Sequence, residues 1–101
     1  MKIIIIGAGK VGLQIAQTLS RENHDITIID KREDIRENLD SNLDIMTIVG
    51  NGASVRILEQ AGIKEADMLI AVTRNDEVNM IACMTAKQFN VAKTIARIRN
   101  P

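Results

Sequence analysis

The sequence has no tryptophan, no tyrosine and a single phenylalanine, Phe89, so it offers almost nothing on which nucleic-acid bases could stack. Charge of one sign is lacking too: Lys and Arg number 13, Asp and Glu number 13, and no global field draws the chain to nucleic acid or to an anionic membrane. The one cysteine, Cys83, has no partner for an internal disulfide and no companions at metal-ligand spacing, which excludes a disulfide scaffold and predicts a cytosolic protein without a metal site. The isoleucine run after Lys2 is too short for a signal-peptide core or a membrane span, so no direct insertion into a membrane is expected. The only histidine, His24, sits in a polar turn without a neighbouring nucleophile. With tyrosine missing as well, the chain shows no evident acid or base for catalysis.

What is present is aliphatic. Apolar residues make up 46% of the 101 positions and are drawn mostly from Ile, Leu, Val, Ala and Met, a composition that suits strands buried on both faces of a parallel sheet. That length supports one domain with one modest core. Apolar runs alternate with helical patterns, the mark of right-handed βαβ units. The reading gives strands near 2–6, 26–29, 45–49, 68–72 and 93–98. Helices are expected near 10–21, 33–41, 54–61 and from about 75 to 89, with Val11, Ile15, Ala16 and Leu19 inward on the first and Val55 and Leu58 inward on the third. Gly62 is placed to stop the third helix, and Asn75 or Asp76 to cap the last. The predicted fold is a Rossmann-like, doubly wound α/β domain: a parallel sheet of five strands in the order 3-2-1-4-5 with helices on both faces.

The informative motif lies at the first crossover. Gly7-Ala8-Gly9-Lys10-Val11-Gly12 follows the strand Ile3 to Ile6 and opens a helix, and Asp30 closes the next apolar run. In that context the first glycine permits a tight turn, the second lets the backbone approach a pyrophosphate, and the third allows close helix–strand packing. The free N–H groups and dipole of the helix face the phosphates, and a carboxylate at Asp30 accepts hydrogen bonds from ribose hydroxyls. Ligands of such sheets bind outside the carboxyl ends of the strands where the chain order reverses, so five segments are expected to converge there: Gly7 to Gly12, Asp30, Gly50 to Ala53, Thr73 to Asn75, and Arg97. Asp30 repels a ribose 2′-phosphate, whereas the following Lys31 and Arg32 are able to accept one. With Asp30 at the strand end and the basic pair on a solvated helix start, an unphosphorylated ribose is expected.

GAGKVG, Asp30, Gly50-Asn51-Gly52, the segment Ala66 to Thr73, Asp76-Glu77-Val78-Asn79-Met80 and Ile95-Ala96-Arg97-Ile98-Arg99 together resemble the Trk/Ktr-type potassium-uptake regulatory domain, also called the KTN or N-terminal RCK domain. The resemblance covers essentially the whole chain. It implies a cytoplasmic module that binds NAD(H) or another adenine nucleotide (ATP, ADP or AMP), assembles into homodimers or rings, and gates a membrane potassium transporter without catalysis. By position it places Gly7, Ala8, Gly9, Val11 and Gly12 at the pyrophosphate, Lys10 toward a terminal phosphate, and Asp30 with Lys31 at the adenosine ribose. Asn51, Gly52 and Ala53 fall beside the adenosine, Thr73 and Arg74 near the phosphates or second ribose, and Arg97 at the distal end. Members usually continue into a further strand and often a second ligand-binding domain, so the resemblance implies that the chain stops short of both.

The last helix carries apolar residues on more than one side, with Met80, Met84 and Lys87 on one and Val78, Ile81, Ala82, Thr85 and Phe89 on another; such a helix is expected to contribute to a dimer surface. The competing functional class is the nucleotide-binding half of an NAD-dependent oxidoreductase, for which the chain supplies neither a substrate domain nor an acid or base beside the nicotinamide.

Overall fold

The computed structural model describes residues 1–99. Five parallel strands, β1 (Lys2–Ile6), β2 (Asp25–Asp30), β3 (Ile45–Val49), β4 (Met68–Ala71) and β5 (Lys93–Ala96), form one sheet in the order β3-β2-β1-β4-β5. Helix α1 (Lys10–Arg21) covers one face. Helices α2 (Val55–Gln60) and α3 (Asp76–Gln88) cover the other. The expected fold and strand order are those observed.

The isoleucine run explains the centre of the sheet. Alternate side chains of a strand point to opposite faces, so Ile3 and Ile5 enter the cluster under α1 with Ala16, Ile26 and Ile28, while Ile4 and Ile6 enter the cluster under α2 and α3 with Leu58, Leu69 and Ala82. All four are at most 1% exposed. Burying each contributes about 2 kcal/mol, which only a strand covered on both sides can collect from consecutive apolar residues. Gly62 stands in the left-handed region (φ 90°) just after Ala61, as a helix-ending glycine should.

Local departures from the sequence reading have physical reasons. The expected helix over 33–41 is only a short 3-10 turn, Ile35–Asn38. Its apolar content is Ile35, which is buried, and Leu39, which packs at the edge of the core, too little surface to hold a regular helix. On α2 the inward residues are Ile57 and Leu58, whereas Val55 is 47% exposed. On α1 Val11 is exposed and Leu13 takes its place against the sheet. On α3 the buried stripe is Asn79, Ala82, Thr85 and Ala86, and Ile81 lies outside with Met80 and Met84. Strand β5 ends at Ala96, so Arg97 and Arg99 follow the strand instead of belonging to it.

The carboxyl edge of the sheet is held in register beyond the strands themselves. The amides of Gly7, Gly50, Val72 and Arg97 each donate one more bond to the neighbouring strand, to the carbonyls of Ile29, Asp30, Ile6 and Ala71 respectively. The loops that leave this edge therefore start from fixed points.

Candidate functional site

Two adjoining depressions open at that edge. The larger, about 460 Å³, is lined by Gly7, Gly9, Lys10, Val11, Asp30, Arg32, Val72, Thr73, Arg74, Arg97 and Arg99. The smaller, about 200 Å³, has Ile6, Ile29 and Val78 as its apolar lining and is completed by Asp30, Lys31, Gly50, Asn51, Gly52, Thr73, Arg74 and Asn75. Asp30, Thr73 and Arg74 belong to both, so the two are halves of one groove across the β1/β4 reversal.

The glycine loop is shaped by contacts with the strand ends. Gly7 adopts φ 109°, and a Cβ there would sit 3.0 Å from the backbone at Val72 and Thr73. A Cβ on Gly12 would collide with the Gly7 carbonyl, so helix and loop meet at a distance only glycine permits. Gly9, by contrast, faces open space, and as the N-cap of α1 it provides no side-chain cap. No acidic residue stands in the first turn of α1. The amides at the start of this helix and the positive end of its dipole are therefore left to the groove.

Asp30 ends β2 opposite this loop. Its Oδ2 accepts from the Ala8 amide at 2.6 Å, and its Oδ1 accepts from the Arg32 amide at 2.9 Å and from Arg32 Nε at 3.3 Å. Burial raises its pKa, but the Arg32 and Ala8 amides and the Arg32 guanidinium outweigh that, and the carboxyl is held below its ordinary value. The Arg32 guanidinium also donates through Nη2 to the Ala8 carbonyl at 2.6 Å. Arg32 thus lines the groove although its side chain remains 52% exposed, so the expectation of a solvated basic pair is met in part, without the regular helix expected after it. Lys31 does line the smaller recess.

The opposite wall is organised by a residue the sequence reading left without a role. Asn79, fully buried on α3, donates through Nδ2 to the carbonyls of Thr73 (3.0 Å) and Arg97 (2.8 Å). Its Oδ1 accepts from the Thr73 amide (2.9 Å) and the Thr73 hydroxyl (2.6 Å). Only this orientation of the amide pairs two donors with two carbonyls and an acceptor with two donors. Arg97 turns Nη2 onto the carbonyls of Val72 (2.9 Å) and Thr73 (3.2 Å), which leaves its Nε buried with no acceptor among the described residues.

Of the residues singled out from sequence, Gly7, Gly9, Lys10, Val11, Asp30, Lys31, Asn51, Gly52, Thr73, Arg74 and Arg97 line the groove. Ala8, Gly12 and Ala53 do not. Ala8 is buried and its amide is already bonded to Asp30, Gly12 is buried in the helix–loop contact, and the Ala53 amide is taken by the Asn51 side chain. Arg32, expected to point to solvent, lines the groove as well, and Asn79 had no expected role. A signal existed for Asn79, which continues the i, i+3, i+7 stripe of Ala82 and Ala86 and so falls on the buried side of α3. The larger depression sets five cations, Lys10, Arg32, Arg74, Arg97 and Arg99, around one carboxylate, Asp30. That charge balance suits an anion, and the Asp30 carboxylate offers a hydroxyl group an acceptor at one end.

No helix among the described residues is long and apolar enough to cross a membrane. Comparison with known proteins agrees with the fold. The chain is 52% identical over 98% of its length to the Trk system potassium uptake protein TrkA of Halomonas elongata, of which it covers 22%. It is 40% identical over its full length to a TrkA homolog of Methanothermobacter thermautotrophicus, of which it covers 47%. The chain thus spans less than half of each of these relatives. Among solved structures, the Kef CTD of Shewanella denitrificans in AMP-bound form superposes with a TM-score of 0.76 at 23% identity, over 94% of this chain and 57% of that one, and so shares the fold. The TrkA-N domain model matches residues 3–101, and with a glycine loop, Asp30 and a reversal-point groove all in place, the chain belongs to the TrkA-N domain family.

Proposed function

We propose that this domain is a nucleotide-sensing regulatory module of a potassium-uptake system, binding NAD(H) or another adenine nucleotide (ATP, ADP or AMP) in the groove without transforming it. The observation that carries the reading is the uncapped start of α1 facing Asp30 across a groove rich in cations. In this reading the amides after Gly9 receive the phosphates, and Asp30 takes the ribose hydroxyls through the lone pairs not engaged by Ala8 and Arg32. The recess at Asn51 and Gly52, with its apolar lining from Ile6, Ile29 and Val78, takes the adenine. Lys10, Arg74 and Arg97 meet the charged far end of the ligand. The names of the TrkA relatives support the potassium-uptake context, and the AMP-bound state of the Kef neighbour supports an adenine nucleotide.

Such a module acts by differential affinity for two arrangements. The exposed Met80, Ile81 and Met84 on α3 are a suitable surface for a homodimer or ring beneath a membrane transporter, to which the domain would be attached peripherally from the cytoplasm. Calorimetric titration with NAD, NADH, ATP, ADP and AMP, repeated on Asp30→Ala, tests the reading. Expected are binding of at least one ligand, its loss in the variant, and recovery of the ligand unchanged. Binding that survives Asp30→Ala, or turnover of the ligand, would overturn it.

A further inference from the structure

We propose that Arg32 sets ribose selectivity and lets the groove accept adenine nucleotides that carry a 2′-phosphate as well as those with a free 2′-hydroxyl. The inference deepens the nucleotide reading above and rests on it. An acidic residue at the end of the second strand ordinarily repels a 2′-phosphate, and an arginine nearby accommodates one. Here the two occur together, in contact.

The position of the guanidinium decides the matter. Arg32 Nε lies 3.3 Å from Asp30 Oδ1 and its Nη2 lies 2.6 Å from the Ala8 carbonyl, so the planar group spans the gap between the glycine loop and the end of β2. That plane lies directly beside the carboxylate that would hold a ribose. Two of the five guanidinium N–H groups are engaged by these contacts, and the others find no acceptor among the described residues. The side chain is 52% exposed, against 16% for Asp30, and it lines the larger depression, so its remaining donors are open to solvent beside the carboxylate. Lys31 stands on the other flank of Asp30, lining the adjoining recess. One carboxylate between two cations leaves the ribose end with a positive local balance, where Asp30 alone would make it negative. A 2′-phosphate then replaces no essential bond: the guanidinium meets it with paired N–H donors of the geometry that phosphate oxygens favour.

The test uses matched ligands that differ only at the 2′ position, NAD against NADP and AMP against adenosine 2′,5′-bisphosphate, titrated calorimetrically into the chain and into Arg32→Ala and Arg32→Lys. The parent is expected to bind both members of a pair within about tenfold of each other. Arg32→Ala should widen the gap by about tenfold or more against the phosphorylated member, and Arg32→Lys should restore part of it, as a point charge without the fork. Because the readout is a ratio, a general loosening of the glycine loop in the variant cancels. A parent preference for the unphosphorylated member beyond about a hundredfold, or an equal loss for both members in Arg32→Ala, would overturn the inference while leaving the nucleotide reading intact. Failure of all four ligands to bind the parent would overturn the inference, and failure of NADH, ATP and ADP as well would overturn the nucleotide reading with it.

Discussion

Helices α1 and α3 both start at the carboxyl edge of the sheet, just beyond β1 and β4, and are finished in opposite ways. At α3 the Asn75 side chain accepts from the Val78 amide at 3.0 Å, Asp76 and Glu77 fill the first turn, and Asp76 accepts from the Arg99 amide. At α1 the N-cap is Gly9, with no side-chain hydrogen bond, and the first residue is Lys10. The backbone physics of the two ends is the same, four amides without intrahelical partners and a positive dipole. At α3 the protein satisfies that end itself. At α1 the end stays open to the groove, and glycine at the N-cap keeps side chains out of the way.

Three substitutions would break or sharpen this contrast. Gly12→Ala should have the largest effect, about 2 kcal/mol of lost stability net of the helix-propensity gain, because the added methyl meets the Gly7 backbone and not a movable side chain. A lowered denaturation midpoint together with lost nucleotide binding would show it. Asn75→Ala should cost about 1 kcal/mol by removing the α3 cap, measured in the same way. Gly9→Asp is the smallest in energy and the most informative in sign. Gly9 has ordinary negative φ and open space at its Cβ, so a capping carboxylate fits and should stabilise α1 by about 0.5 kcal/mol. The same carboxylate occupies the place of a phosphate, so calorimetry should show nucleotide affinity falling while stability rises. If both rose together, the bare end of α1 would not be a ligand site.

The fold was legible because its signals are local. Four consecutive isoleucines demand two covered faces, the glycine spacing of the first crossover fixes the turn, and Asn75 sits where a cap belongs, as its bond to Val78 shows. The groove was half legible for the same reason: spacing along the chain brings the segments to one edge, and the strand order brings the edges together. What spacing does not specify is where a long side chain turns once the strand has ended. Arg32 folds inward because the Ala8 carbonyl, 24 residues away in sequence, waits at the right height. Ile57 and not Val55 joins Leu58 against the core because α2 is a short helix whose orientation is set by the sheet beneath it. The stretch after Arg32 reads as a helix by composition but lacks the apolar face that would hold one.

Asn79 gives the far wall of the groove its stiffness. The ends of β4 and β5 are separate segments, yet one side chain clasps both and anchors them to α3. Parting Thr73 from Arg97, or lifting either from the helix, breaks bonds where water does not reach, at about 1–3 kcal/mol for each group left unpaired. The wall and the helix are therefore fastened to each other. The helix tied to Thr73 in this way also carries Met80, Ile81 and Met84 on its outer surface, so the groove wall and that exposed apolar surface belong to one element.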